Sequence, residues 1–315
     1  MAKVETPVEK WRGRVQEVRL GGDGRKSVVL GGESTLPFLH FDGEVPHRPV
    51  VAVEVLDMPP ADWAGSVMSA WGDVVKSPVT WAKKAAEHGA DLIFLRLASA
   101  HPEQGNTNGA QAAKTVSQVL AAVDIPLIVV GADVAEKDNE VIVAVAEAAR
   151  GQRLALGTVT DKNYKTIVAT AMAGGHAVVA QAPMDMNLSK QLNILCCDMG
   201  LPKDSLIMDP TTGALGYGME YAVSVYERLR LAALQGDSMT AMPILSHAGY
   251  EAWRQKEAKA TEGVPAAWGD PTLRALLWEQ MTAMTLLQSG ADIMVLRHPR
   301  SVEVVRGVID QLMAH

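Results

Sequence analysis

The side chains best suited to chemistry in this chain recur in one kind of place, directly behind short, uncharged, β-branched runs. Glu54 and Asp57 close the first run. Arg96, Ser99 and His101 follow the second, and Asp133 the third. Thr158, Asp161 and Asn163 stand behind the fourth, Gln181, Asp185 and Asn187 behind the fifth, and Asp209 behind the sixth. Ser246 with His247, then Arg297 with His298, complete the series. Carboxylates, amides, imidazoles and guanidiniums gathered in this way can grip a polar ligand or move a proton. They do not spell a catalytic machine. The runs hold no lysine of the kind a Schiff-base enzyme desolvates. The eight histidines include no His-x-His or His-x-x-x-His pair for a metal, and no Gly-x-Ser-x-Gly elbow is present. Hydrolysis by two carboxylates stays open, because their separation is a three-dimensional quantity.

The elements that must position these groups are legible from the alternation itself. Apolar runs lie at 50–55, 92–97, 127–130, 154–156, 177–180, 206–208, 242–245 and 293–296. Such runs suit parallel strands buried on both faces. Between them, 80–88, 110–123, 139–149, 165–173, 188–199, 220–234, 273–288 and 302–314 are long enough for crossover helices. Ser77-Pro78 reads as a helix start, while Gly89, Gly151, Gly174, Gly200 and Gly290 read as helix ends. Eight strand–helix units predict a (β/α)8 TIM barrel, with functional groups at the carboxyl ends of the strands. An open doubly wound sheet is the runner-up. Residues 1–45 differ: two short β runs flank Gly21-Gly22-Asp23-Gly24, a hairpin signal. They are expected to form a β appendage over one end of a barrel domain spanning 46–315. The polar stretch 253–270 is expected to be a surface excursion or a contact surface.

An internal repeat sharpens the picture. Gly89-Ala90-Asp91-Leu92-Ile93-Phe94-Leu95-Arg96 recurs as Gly290-Ala291-Asp292-Ile293-Met294-Val295-Leu296-Arg297, and a His-Pro follows each copy. In a closed barrel the second and eighth strands both flank the first. Arg96 and Arg297 are therefore expected beside Glu54, whose carboxylate in an apolar run is costly unless paired. Either the three form a buried charge cluster and nothing more, or one guanidinium remains for an anionic ligand group.

Two loops could meet a ligand. Gly213, Gly216 and Gly218 lie between the sixth run and a helix starting at Glu220. Backbone amides there can approach an anion or a flat macrocycle, or the glycines can simply serve a turn with positive φ. Asp185 and Asn187 either cap the next helix or offer a carboxylate and an amide to a ligand. Met184, Met186 and Met208 read as packing.

Composition excludes other classes. With 29 basic and 36 acidic residues the net charge is −7, against a nucleic-acid binder or a protein held to an anionic membrane. Residues 1–17 carry charges where a signal peptide needs an apolar stretch, and no run approaches a membrane span. A cytoplasmic protein is expected. The two cysteines, Cys196 and Cys197, cannot hold an iron–sulfur cluster or a structural zinc.

LGGESTLPF (30–38), LRLASAHP (95–102), DKNYK (161–165), PMDMNLSKQLNI (183–194), MDPTTGALGYGMEY (208–221) and RHP (297–299), in this order, resemble the small subunit of the corrinoid iron–sulfur protein. This is the delta subunit of the acetyl-CoA decarbonylase/synthase system, in the form of the bacterial reductive acetyl-CoA pathway. The resemblance covers nearly the whole chain. It implies a non-catalytic subunit of a heterodimeric methyl carrier. Such a carrier accepts a methyl group from methyltetrahydrofolate, through a separate methyltransferase, and passes it to acetyl-CoA synthase. It further implies a barrel mouth facing a corrinoid (cobamide), with the large subunit supplying the iron–sulfur cluster and the cobamide-binding domain. The residues expected to meet the cofactor are Asp185, Asn187, Asp209, Gly213, Gly216, Gly218, Arg96 and Arg297. The alternative is a free-standing pterin-dependent methyltransferase on the same fold, drawing its pterin contacts from Asp209, Asp161, Asn163 and Asn187. A scaffold barrel without a ligand is the third reading.

Overall fold

A computed structural model describes residues 6–22, 24–213 and 215–314. Asp23 of the hairpin and Ala214 of the glycine loop lie outside the described residues.

Among the described residues, ten strands form two sheets. Strands β1 (Val18–Leu20) and β2 (Val28–Leu30) pair antiparallel. The eight others are β3 (Val50–Leu56), β4 (Leu92–Arg96), β5 (Leu127–Val130), β6 (Ala155–Val159), β7 (Ala177–Gln181), β8 (Leu206–Asp209), β9 (Leu245–Ser246) and β10 (Ile293–Leu296). They run in parallel in the order β8-β7-β6-β5-β4-β3-β10-β9. A bridge between Met208 and Ile244 joins β8 to the start of β9, so the expected barrel is the observed one. Around it lie α1 (Gly65–Trp71), α2 (Pro78–Glu87), α3 (Gly109–Ala122), α4 (Ala135–Ala148), α5 (Tyr164–Gly174) and α6 (Met186–Asp198). The remainder are α7 (Glu220–Leu234), α8 (Ala248–Arg254), α9 (Lys256–Lys259), α10 (Pro271–Gln288) and α11 (Pro299–Met313). No helix among the described residues is long and apolar enough to cross a membrane.

Period-two alternation decides which side chains fill the barrel. On β3, Val51, Val53 and Val55 face the helices, whereas Val50 and Ala52 join Leu92, Phe94, Ile128, Val130, Val179, Ile207, Leu245, Ile293 and Val295 inside. Val18, Leu20 and Leu30 belong to that same interior cluster. The hairpin thus plugs one end of the barrel rather than folding apart from it. Its turn leaves no room for a side chain at Gly21, with φ +96° and a backbone carbonyl 2.5 Å from where a Cβ would sit.

The repeat has a structural role at the plugged end. Asp91 accepts from Val51 N (3.0 Å) and from Arg306 (2.6 Å), whose guanidinium also reaches the Gly89 carbonyl. Asp292 accepts from Ile244 N (2.6 Å) and from Arg230 (2.8 Å), whose guanidinium also reaches the Gly290 carbonyl. Each copy therefore ties its strand's start to the neighbouring strand through one aspartate and one arginine.

Several boundaries differ from expectation. The fourth barrel strand runs over Ala155–Val159, three residues beyond the end of its apolar run. The seventh is only Leu245–Ser246, because the chain turns into α8 at once. Helix α5 ends on Gly175 in the left-handed region, so Gly174 is its last helical residue. Ser77 precedes α2 without a side-chain cap bond. The stretch 253–270 is not simply polar surface: Trp253 is fully buried and α8 and α9 occupy its first part.

Candidate functional site

The alternation that fills the barrel continues one step further at the carboxyl ends of the strands, and there it turns polar. Glu54, Arg96, Gln181, Asp209, His247 and Arg297 each stand two residues beyond an interior apolar side chain. They form two matching triads. Glu54 on β3, fully buried, accepts from Arg96 Nε (3.1 Å) on β4 and from Arg297 Nε (2.5 Å) beyond β10. Asp209 on β8 accepts from Gln181 Nε2 (2.7 Å) on β7 and meets His247 Nε2 (3.0 Å) beyond β9. In each, a carboxylate is held between donors from the strands on either side.

Burial would push the Glu54 carboxyl up. The Arg297 and Arg96 guanidiniums overcome this and hold it at about 2. Arg96 has a second carboxylate, Asp133, at 3.0 Å. Among the described residues Arg297 pairs with Glu54 alone, and its guanidinium lies over the rings of Trp63 (4.4 Å) and Tyr250 (4.9 Å). Tyr250 also receives Arg96 at 5.5 Å and Arg254 at 4.8 Å. In the second triad, Asp209 Oδ1 accepts from Thr211 N (2.9 Å), and the His247 ring stands edge-on to Phe94 at 5.0 Å. His247 Nδ1 is buried without a partner. Both carboxylates are engaged by positioned donors, so neither is poised as a free base.

The other expected residues sit around the rim. Asp185 caps α6, accepting from Asn187 N (2.7 Å) and Leu188 N (3.1 Å), while Asn187 is exposed. Gly216 is exposed; a side chain there would meet only the tip of Gln255. A side chain at Gly213 would touch Met184 at ordinary contact distance, 3.5 Å. Leu215, Gly218 and Met219 line an apolar groove of about 470 Å³ with Trp268, Leu273 and Leu277. The structure thus gathers Arg96, Arg297 and Asp209 in the central polar layer, and leaves Asp185 and the glycines on loops outside it and Asn187 in the first turn of α6.

Of the residues considered for a pterin, Asp161 and Asn163 line one cavity of about 470 Å³ with Gln181, the partner of Asp209. Asn163 is engaged within its own turn, donating to the Thr158 carbonyl (2.9 Å) and accepting from Thr160 N (2.7 Å). The two His-Pro pairs are turn devices. Nδ1 of His101 accepts from Glu103 N and Nδ1 of His298 from Arg300 N, each at 3.1 Å. His298 caps α11 and stacks on Trp253, and burial takes its imidazole down to about 4. Cys196 is buried on α6, its thiol pushed up to about 12 by burial and by the neighbouring Cys197. Among the described residues no three His, Cys, Asp or Glu side chains group so as to hold a metal ion.

The family model described as CO dehydrogenase/acetyl-CoA synthase delta subunit matches residues 17–309. The chain belongs to that family. The acetyl-CoA decarbonylase/synthase complex subunit delta of Archaeoglobus fulgidus is 38% identical, over 99% of this chain and 71% of its own length. Those of Methanothermobacter thermautotrophicus and Methanopyrus kandleri are also 38% identical, over 96% and 95% of this chain and 77% and 76% of their own. Membership in this delta-subunit family is what the six ordered motifs imply. Among solved structures, a dihydropteroate synthase of Xanthomonas albilineans aligns with TM-score 0.63 at 15% identity, over 95% of this chain and 99% of that one. One from Yersinia pestis aligns with TM-score 0.59 at 17% identity, over 85% and 95%. At such identities the likeness shows the barrel fold.

Three residues of the family's barrel mouth escaped expectation as site residues. Trp63 precedes α1, and its distance in sequence from any apolar run hid it. Tyr250 sits in the first turn of α8, a short helix directly behind the seventh barrel strand. Glu279 is buried on α10, a helix whose more apolar stripe is the exposed one.

Proposed function

We propose that this chain is the small, non-catalytic subunit of a corrinoid iron–sulfur methyl carrier in the reductive acetyl-CoA pathway. In this reading it accepts its methyl group from methyltetrahydrofolate through a methyltransferase, serves acetyl-CoA synthase, and works in the cytoplasm with a large subunit that holds the cluster. Residues 1–45 act as the plug of the barrel domain 46–315. When bound, the corrinoid supplies the cobalt centre that carries the methyl group. The observation that carries the reading is the closed polar layer at the mouth of a family member. Its carboxylates are tied up by neighbouring donors, which suits a wall that binds and orients better than one that abstracts protons.

The donor set fits a corrinoid edge. Arg297 keeps guanidinium N–H groups beyond its bond to Glu54, and these can meet carbonyl or phosphate oxygens. Gly216, exposed, leaves backbone open to a flat macrocycle. Asp209, through Gln181 and His247, sets the facing wall, and Asp185 caps the first turn of α6, which carries Asn187. Arg96, Arg297, Asp209, Asp185, Asn187, Gly213, Gly216 and Gly218 are the contacts we assign.

Co-expression with the large subunit tests this. The purified pair should show one corrinoid spectrum per heterodimer and the isolated chain should be colourless. Methyltetrahydrofolate binding by the isolated chain, with no corrinoid in the pair, would support the methyltransferase instead.

A further inference from the structure

Arg297 is held from four sides. Its side chain is fixed by Glu54 and by the Trp63 and Tyr250 rings, and its carbonyl accepts from Trp71 Nε1 at 2.7 Å. The fourth hold is Glu279 on α10, whose Oε1 accepts from Arg297 N at 2.6 Å and, at 3.4 Å, from His298 N. The need for it follows from the topology. Strand β9 pairs with β10 only at Ile293 and Met294, because the chain leaves β9 for α8. The N–H groups past that point have no strand neighbour on this side. An unpaired buried N–H is costly, and a side-chain carboxylate replaces the missing strand. Gly249 of α8 packs on the same bond: a Cβ there would lie 2.7 Å from both Arg297 N and Glu279 Oε1.

Glu279 is fully buried, and among the described residues no cation pairs with it; burial pushes its carboxyl up, against hydrogen bonds that favour the ionised form. A buried carboxylate without a cation is an expensive way to end a strand. Arg96, the counterpart on the other side of Glu54, has no such support and divides its guanidinium between two carboxylates.

We infer that Glu279 is a positioning residue for Arg297, setting the guanidinium edge that the ligand meets at the barrel mouth. What Arg297 touches rests on the carrier reading; the placement of Arg297 by Glu279 does not. Arginine Nε–H resonances of the ligand-free full chain, selectively labelled with ¹⁵N-arginine, report that placement directly. Glu279→Leu should move or broaden the Arg297 signal while leaving that of Arg96 in place, and Glu279→Gln, which keeps an acceptor oxygen, should restore it. In the heterodimer, corrinoid affinity should fall roughly ten-fold in the Leu variant, as expected for one lost hydrogen bond to a charged group. Gly249→Ala, which forces the same two atoms apart, should reproduce the Arg297 shift if the Leu variant does not fold. An unmoved Arg297 signal, or Arg96 and Arg297 moving together, overturns the inference, as does failure of both variants to fold. An absent corrinoid with the Arg297 shift present counts against the carrier reading alone.

Discussion

Glu54 and Asp209 hold equivalent places in the barrel, each a strand-end carboxylate bound by donors from the strand on either side. They differ in what the donors leave over. Around Glu54 two guanidiniums share one buried carboxylate, whereas around Asp209 the donors are an amide and an imidazole. Removing the central carboxylate should therefore be far worse at the first site than at the second.

Glu54→Ala should destabilise the fold by roughly 3–5 kcal/mol, because it strands buried positive charge. Denaturant melts of this variant and its parent measure the difference; a parent-like midpoint would mean that Glu54 is solvated. The pH dependence has a definite sign. The folded carboxyl sits at about 2 against an ordinary 4.5, so its stabilisation is complete above about pH 4.5 and is lost as pH falls toward 2. Glu54→Gln should flatten that part of the acid-unfolding profile.

Glu33 should behave in the opposite sense. Burial and the nearby Asp292 carboxylate raise it to about 8, against the pull of Arg230. A raised folded value means that stability is full below about pH 4.5 and falls as pH rises through 8. The parent should lose stability over that window relative to Glu33→Gln. Parallel thermal melts across the window check it, and a constant difference between the two proteins would show that Glu33 does not titrate there.

The barrel was readable because its signal is redundant: eight apolar runs, spaced helices, and a repeat that set Arg96 and Arg297 beside Glu54. The partners of Asp209 were not, since Gln181 and His247 meet it across three strands and nothing local marks the encounter. Glu279 shows a different limit. Helix α10 carries two stripes, one with Ala275, Glu279, Thr282, Ala283 and Leu286 and one with Leu273, Leu277 and Met281. The more apolar stripe is the exposed one, so reading hydrophobicity alone points the helix the wrong way. The tethering of Asp185 in a cap was one of two readings the sequence allowed, and the backbone geometry of α6 shows that the cap forms.

Gly216→Trp should leave the barrel folded, because its backbone is not left-handed and the only close neighbour is the flexible tip of Gln255. Corrinoid retention by the heterodimer should nevertheless fall, since the added ring occupies the loop's open side. Far-UV circular dichroism and visible absorption on one preparation separate the two effects. Full corrinoid content in that variant would remove the glycine loop from the contact surface.

The claim that the polar layer faces the cofactor is tested most directly by the corrinoid-to-protein ratio of the purified heterodimer carrying Arg297→Met, measured beside Arg96→Met and the parent. The ratio should drop sharply for Arg297→Met, beyond what its melting temperature explains, and less for Arg96→Met, whose guanidinium is already divided between Glu54 and Asp133. A parent-like ratio in Arg297→Met would contradict the account and leave the Glu54 cluster as a structural core of the barrel.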